Sequence, residues 1–321
     1  MRALACPASL KGVLGAGPAA AALARGFRGG GAEAWELPVA DGGEGTAEVV
    51  HAALRGEWRP ERVSDPLGRP VTARWLLLPD GRAVVEAAAA IGLPLLAHRE
   101  RDPLRASSRG FGELLAAALA AGPTSLVVAL GGTATMDGGT GLREVVDGLD
   151  VPTVALCDVR VTLGDAARLF GPQKGASAAG VAILERRLAA LEELRPYAEL
   201  AGSGAAGGLG AALAALGAEL VPGAPAVLDL LRFDERVAGC DLVVTGEGHV
   251  DATTLEGKAP SEVARRCAAA RVPCVVFGGR VSVDVPGAET AALSGDRARA
   301  ERDLVELARR LAAHGREADV L

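Results

Sequence analysis

Aromatic residues are nearly absent from this chain. Phe, Trp and Tyr together make up 3% of its 321 residues. Its core must therefore be built from Ala, Val and Leu, and few rings are present for nucleic-acid bases to stack on. Lysine is also scarce: Lys11, Lys174 and Lys258 are the only ones, and every other basic side chain is an arginine. No basic block stands out, and the formal net charge is -6. These absences argue against nucleic acid as a partner. No CxxC occurs. Cys6, Cys157, Cys240, Cys267 and Cys274 are odd in number and widely spread, which reads as small buried hydrophobes in a reducing cytoplasm, not as a disulfide or zinc framework. His51, His98, His249 and His314 show no metal-ligand spacing. No run is long and apolar enough to cross a bilayer, and the start, MRALACPASLKG, has no signal-peptide core. A cytoplasmic location without membrane contact is expected.

What is present is alternation. Half the residues are hydrophobic and 43 are glycine. Short apolar runs suit strands at residues 2–6, 35–39, 125–130, 151–159, 241–245 and 272–277. Residues 71–78 and 82–87 read as a pair of strands across the turn Pro79-Asp80-Gly81. Helical patterns fall at 18–27, 47–54, 109–121, 177–194 and 297–313, and an Ala/Leu helix is expected after Ser203–Gly210. Strands alternating with helices predict an α/β fold with largely parallel sheet.

The links after these strands are of one kind. Ala129–Gly141, reading ALGGTATMDGGTG, holds five glycines, three threonines and the carboxylate of Asp137. It matches neither GxGxxG nor GxxxxGK[ST]. A strand that opens into a glycine-rich loop and then a helix is nonetheless where α/β proteins hold anions. Carboxylates recur just after strands at Asp41, Glu44, Asp137, Asp158, Glu247 and Asp251. The three lysines each lie beside a glycine: Lys11-Gly12, Lys174-Gly175 and Gly257-Lys258. Carboxylates, lysines and glycine loops together are what phosphoryl transfer uses. Each element has a plainer reading as well. Asp41 and Glu44 suit a helix start, Asp158 suits a turn, and Lys174 and Lys258 suit a solvated surface.

In order along the chain, LKG (Leu10–Gly12), PVADGGEGTAEVV (Pro38–Val50), DPLGRPV (Asp65–Val71), SSRGFGELL (Ser107–Leu115), LGGTATMDGG (Leu130–Gly139), FGPQKGAS (Phe170–Ser177), GSGAAGGLGAALAALGAEL (Gly202–Leu220) and TGEGHVDATTLEGKAPSEVA (Thr245–Ala264) resemble the glycerate kinase family, in its class I bacterial form. The resemblance runs to about Arg280. Departures include Ala8, Met136, where the family has asparagine, and Arg160. The resemblance implies transfer of the γ-phosphate of ATP to D-glycerate with Mg²⁺, most of the class making 2-phosphoglycerate. It implies two α/β domains with a cleft between them: a Rossmann-like one from residues 1–75 plus 241–321, and an inserted one from 76–240. Asp137, Lys11 and Glu247 are the expected catalytic groups. Asp41, Glu44, Arg109, Gly131, Gly132, Thr133, Thr135, Lys174, Lys258 and Arg280 are expected around substrate and phosphate. Asp251 and Asp158 are expected near the metal. Glycerate and ATP are the expected partners, with a homo-oligomer as a further expectation. A divergent member that only binds a small acid or nucleotide, and a kinase for another hydroxy acid, remain alternatives.

Overall fold

The computed structural model describes residues 1–318. Its strands are β1 (Arg2–Pro7), β2 (Glu33–Glu36), β3 (Glu57–Ser64), β4 (Pro70–Leu77), β5 (Arg82–Glu86), β6 (Ser125–Ala129), β7 (Thr153–Cys157), β8 (Glu219–Pro222), β9 (Leu242–Val250), β10 (Cys274–Val281) and β11 (Glu289–Ala292). They form two sheets, ordered β11-β10-β9-β1-β2 and β3-β4-β5-β6-β7-β8. The chain divides into two compact units. The first holds Met1–Asp41, Glu48–Ala53 and everything from Ala224 onward; the second holds Gly42–Ala47 and Leu54–Gly223.

The first unit is built on a parallel sheet. Ala3 and Ala5 of β1 join a core with Ala19, Leu23 and Phe27 of helix Ala16–Gly29 and Leu304, Ala308 and Ala312 of the terminal helix Ala300–Ala318. These helices cross closely because Gly26 has no side chain: a Cβ there would sit 2.3 Å from the Val305 carbonyl oxygen. Successive strand residues face opposite ways. Leu4 and Cys6 are also buried, so β1 is apolar on both sides, as a strand inside an α/β sheet must be.

The second unit has a mixed sheet. From β5 to β8 the neighbours are parallel, but β3–β4 and β4–β5 are antiparallel. Its core gathers Phe111, Leu114 and Leu115 of helix Arg109–Ala120 with Val85, Leu126, Val128 and Leu209.

Several boundaries differ from expectation. β3 is absent from the sequence reading because Glu57–Ser64 is polar and contains Pro60, yet it pairs with β4 from Glu57↔Leu77 to Ser64↔Pro70. It is an edge strand, where a proline is tolerated. That pairing takes residues 54–75 into the second unit, not the first, and residues 224–240 go the opposite way. The expected end of the first domain, 321, lies outside the described residues. β2 starts two residues before the expected Trp35 and ends at Glu36. Pro38 then removes a donor, although Leu37 and Val39 still donate to the carbonyls of Ala5 and Pro7. β9 and β10 run on through Gly246-Glu247-Gly248 and Gly278-Gly279-Arg280, which had been expected as loops; Gly278 pairs with Glu247 and Arg280 with His249. The 177–194 helix is shorter, ending at Ala189 before a 3-10 turn at Glu192–Tyr197.

Candidate active site

In the first unit, β9 sets a cluster of charged groups. Because β9 continues past its glycines, Glu247 stands on a strand with a side chain only 15% exposed. Its Oε1 accepts from the Thr254 hydroxyl at 2.7 Å, and its Oε2 lies 3.6 Å from Lys258 Nζ. Burial pushes the Glu247 carboxyl up from its ordinary value; Thr254 and Lys258 pull the other way, and Asp41 and Asp251 add to the rise. The DATTLEGK segment makes this possible: Asp251 caps a short turn at Ala252–Glu256, Thr254 turns inward and is fully buried, and Gly257 takes a left-handed φ of 105° that brings Lys258 back.

The LKG turn belongs to the same neighbourhood. A Cβ built on Gly248 would lie 3.7 Å from the Lys11 backbone nitrogen, and Lys11 itself is exposed. Arg280 is exposed on β10 beside His249. Asp251 has both oxygens engaged. Oδ1 accepts from Thr253 N and Oγ1, at 2.9 and 2.6 Å, and Oδ2 lies 3.4 Å from His249 Nδ1. Those hydrogen bonds from Thr253 hold the Asp251 carboxyl below its ordinary value.

The second unit carries another cluster, set by the loop after β6. Here the two glycine-rich links meet. Gly131 N donates to Gly42 O at 3.3 Å, and a Cβ on Gly131 would sit 2.5 Å from Gly43 Cα and 3.1 Å from Asp158 Oδ2. A Cβ on Gly132 would lie 3.4 Å from Glu44 Cβ. Glu44, Asp158, Gly131 and Gly132 are thus brought together. Asp41 belongs to the other unit.

Lys174 is not a solvated lysine. It is 5% exposed, and its Nζ donates to Thr135 O at 2.8 Å and to Thr133 Oγ1 at 3.3 Å. Burial pulls its pKa down to about 7, against the opposing pull of Asp137 and Asp158. The loop is thus braced from within by the Lys174 side-chain nitrogen. The Thr135 hydroxyl is buried without a hydrogen-bond partner.

Asp137 sits differently from the expectation of a catalytic base. Its Oδ2 accepts from Ser108 N and Ser108 Oγ, both at 2.8 Å, and from Gly141 N at 3.2 Å; Oδ1 accepts from Gly139 N at 3.2 Å. A carboxylate accepting this many hydrogen bonds pins a loop and has little acceptor capacity left for a substrate hydroxyl. Arg109 is also committed: its guanidinium meets Glu113, one turn along the same helix, and Glu144. It offers no free fork for a substrate carboxylate. Met136 is 1% exposed in the apolar core, so its side chain belongs to packing.

Sequence reasoning missed Ser108, Thr254 and Glu86. The first two bond to expected site carboxylates and lie inside motifs, SSRG and DATT, where a small hydroxyl is easily read as a cap. Glu86 is 8% exposed and accepts from Ala47 N at 2.6 Å; it sits at the end of an apolar strand, with nothing in the pattern to mark it. Among the described residues, no three His, Cys, Asp or Glu side chains gather as a metal cage, and no helix is long and apolar enough to cross a membrane. A groove of about 600 Å³ lined by Ser294, Arg299, Asp303, Glu306, Arg309 and Arg310 includes none of the expected site residues.

The glycerate kinase family model matches residues 3–149 and 146–298. The chain belongs to the glycerate kinase family. It is 38% identical to glycerate 2-kinase of Escherichia coli strain K12 over 331 aligned residues, spanning 89% of this chain and 87% of that protein. It is 37% identical to glycerate kinase of Bacillus subtilis strain 168, spanning 88% and 86%. A crystal structure provisionally assigned as glycerate kinase 2 from Salmonella typhimurium LT2 superposes with a TM-score of 0.87 at 33% identity, covering all of both chains. The α/β fold is that of this family, and the chain is a kinase.

Proposed function

We propose that this kinase transfers the γ-phosphate of ATP to a hydroxyl of D-glycerate, forming 2-phosphoglycerate and ADP, with Mg²⁺. Membership of the family supports the substrate, and two relatives bear the names glycerate 2-kinase and glycerate kinase. The observation that carries the chemistry is Glu247: a mostly buried carboxyl whose charge is opposed by burial and answered by Thr254 and Lys258. Such a group is matched to taking a proton. In the proposed step the glycerate hydroxyl oxygen bonds to the γ-phosphorus, the bond to the β–γ bridging oxygen breaks, and ADP leaves. The hydroxyl proton passes to Glu247.

Most of the catalysis then rests on position and charge. Lys258 and Lys11 supply positive charge in the first unit. Exposed Gly132 offers close backbone to phosphate oxygens, and Lys174 with Thr133 keeps its loop in shape. Magnesium is commonly held by one or two carboxylates together with substrate phosphates. Asp158, exposed and beside Gly131, and Glu44, beside Gly132, fit that pattern. Bound there, the ion would neutralise charge on the phosphates. The test is ADP release by purified protein with ATP, Mg²⁺ and a panel of small hydroxy acids, with the product read by phosphorus NMR. D-Glycerate should react fastest and give 2-phosphoglycerate. No acid-dependent ADP with any of them would sink the proposal, and a faster acid would reassign the substrate.

A further inference from the structure

At the margin of the β9 cluster, where β9 and β10 end, His249 and Asp251 also face Ser282. His249 Nε2 is 2.9 Å from Ser282 Oγ, and His249 Nδ1 is 3.4 Å from Asp251 Oδ2. The alternation of strands explains the convergence. His249 and Asp251 are two residues apart and so share a face. Arg280 is the register partner of His249, which puts Ser282, two residues on, on that face as well. The Ser282 backbone is fixed, since its N–H donates to Val250 O at 2.8 Å.

The anion beside Nδ1 favours one assignment of roles. Asp251 is anchored by Thr253 and presents an anionic oxygen to Nδ1. The Nδ1–H tautomer is the one that suits it, which leaves the Nε2 lone pair to accept from the Ser282 hydroxyl. This is the order of contacts by which a histidine activates a serine. It is a poor device for stability, because polar contacts this exposed contribute little: the His249 side chain is 43% exposed and that of Asp251 33%. The same exposure leaves Ser282 open to a donor from solution.

We propose that Ser282 is a nucleophilic serine, activated by His249 and oriented through Asp251, that takes an acyl group from activated esters of small carboxylic acids. Ser282 Oγ bonds to the carbonyl carbon and its proton passes to His249 Nε2. The bond to the ester oxygen breaks, and the leaving alcohol or phenolate departs with the electron pair. The proton then returns to solvent or to the leaving group, and acyl-Ser282 remains. This reaction is separate from phosphoryl transfer and does not depend on it.

The test uses the full chain and p-nitrophenyl acetate at pH 7.5–8, with release of p-nitrophenolate followed and peptides mapped by mass spectrometry. The expected result is about one acetyl group per chain, on the peptide holding Ser282 and missing in Ser282→Ala. His249→Ala and His249→Gln should each slow Ser282 acetylation by about tenfold or more, since a positioned base contributes on the order of 10²–10⁴ in rate where fully developed. Unchanged melting temperatures would show that the variants are folded. Labelling of Ser282 no faster than of other exposed serines, or equally fast in both His249 variants, would overturn the proposal.

Discussion

Glu247 and Asp137 are both carboxylates in glycine-rich motifs, and both looked catalytic in the sequence. Their surroundings differ. Asp137 receives hydrogen bonds from three backbone N–H groups and one hydroxyl. Glu247 receives one hydroxyl and faces one lysine at 3.6 Å, while burial opposes its charge. The first environment satisfies an anion and holds a loop still. The second leaves an anion under-solvated, which is the condition for a group that exchanges a proton. Motif membership therefore marks a carboxylate as a site candidate, and the hydrogen-bond inventory is the ground on which Glu247 is proposed as the reacting group and Asp137 as a brace.

Four substitutions sharpen this contrast. Glu247→Gln should lower kcat by roughly 10²–10⁴. Its stability should move the other way. The folded pKa of Glu247 is raised, so its favourable contribution is present below the unfolded pKa and is lost as pH rises through the folded value. Glutamine has no charge to bury, so at neutral pH the variant should melt no lower than the parent, and its relative advantage should shrink as the pH falls below the carboxyl range. Asp137→Asn should instead show chiefly in stability, at about 1–3 kcal/mol in denaturant titration, because an amide cannot accept all the donors now aimed at the carboxylate.

Lys174→Met should remove a pH dependence. The folded Lys174 pKa is about 7 against an ordinary 10.5. Between those values the unfolded chain holds a proton that the folded chain does not, so the parent gains stability as pH rises across that window. The melting temperature of the parent minus that of Lys174→Met should climb from pH 7 to 10; a flat difference would mean that the lysine is solvated. Arg109→Ala should do least, changing stability by within about 0.5 kcal/mol, because its pairs with Glu113 and Glu144 are exposed.

How much of this was legible in the sequence depended on what kind of signal each part leaves. Alternating apolar runs and glycine links declared the α/β class, and the ordered motifs declared the family. Glu57–Ser64 was invisible because an edge strand needs no apolar pattern and Pro60 argued against it. The extent of β9 was misread because glycine usually ends a strand, yet here Gly246 and Gly248 continue one and seat Glu247. Lys174 was expected around substrate and phosphate, with a solvated surface as its plainer reading; only the fold brings Thr133 and Thr135 around its buried nitrogen. Arg109 had the right charge for a substrate carboxylate, but Glu113, four residues on, was in the same motif and already pointed to an intrahelical pair.

The most direct test of the account is a side-by-side measurement of D-glycerate-dependent ADP release by Glu247→Gln and Asp137→Asn, with each rate normalised to the folded fraction from its own melting curve. The account predicts that Glu247→Gln is folded and nearly inactive, while Asp137→Asn retains a substantial part of the parent rate per folded molecule. A folded, inactive Asp137→Asn beside a working Glu247→Gln would contradict it.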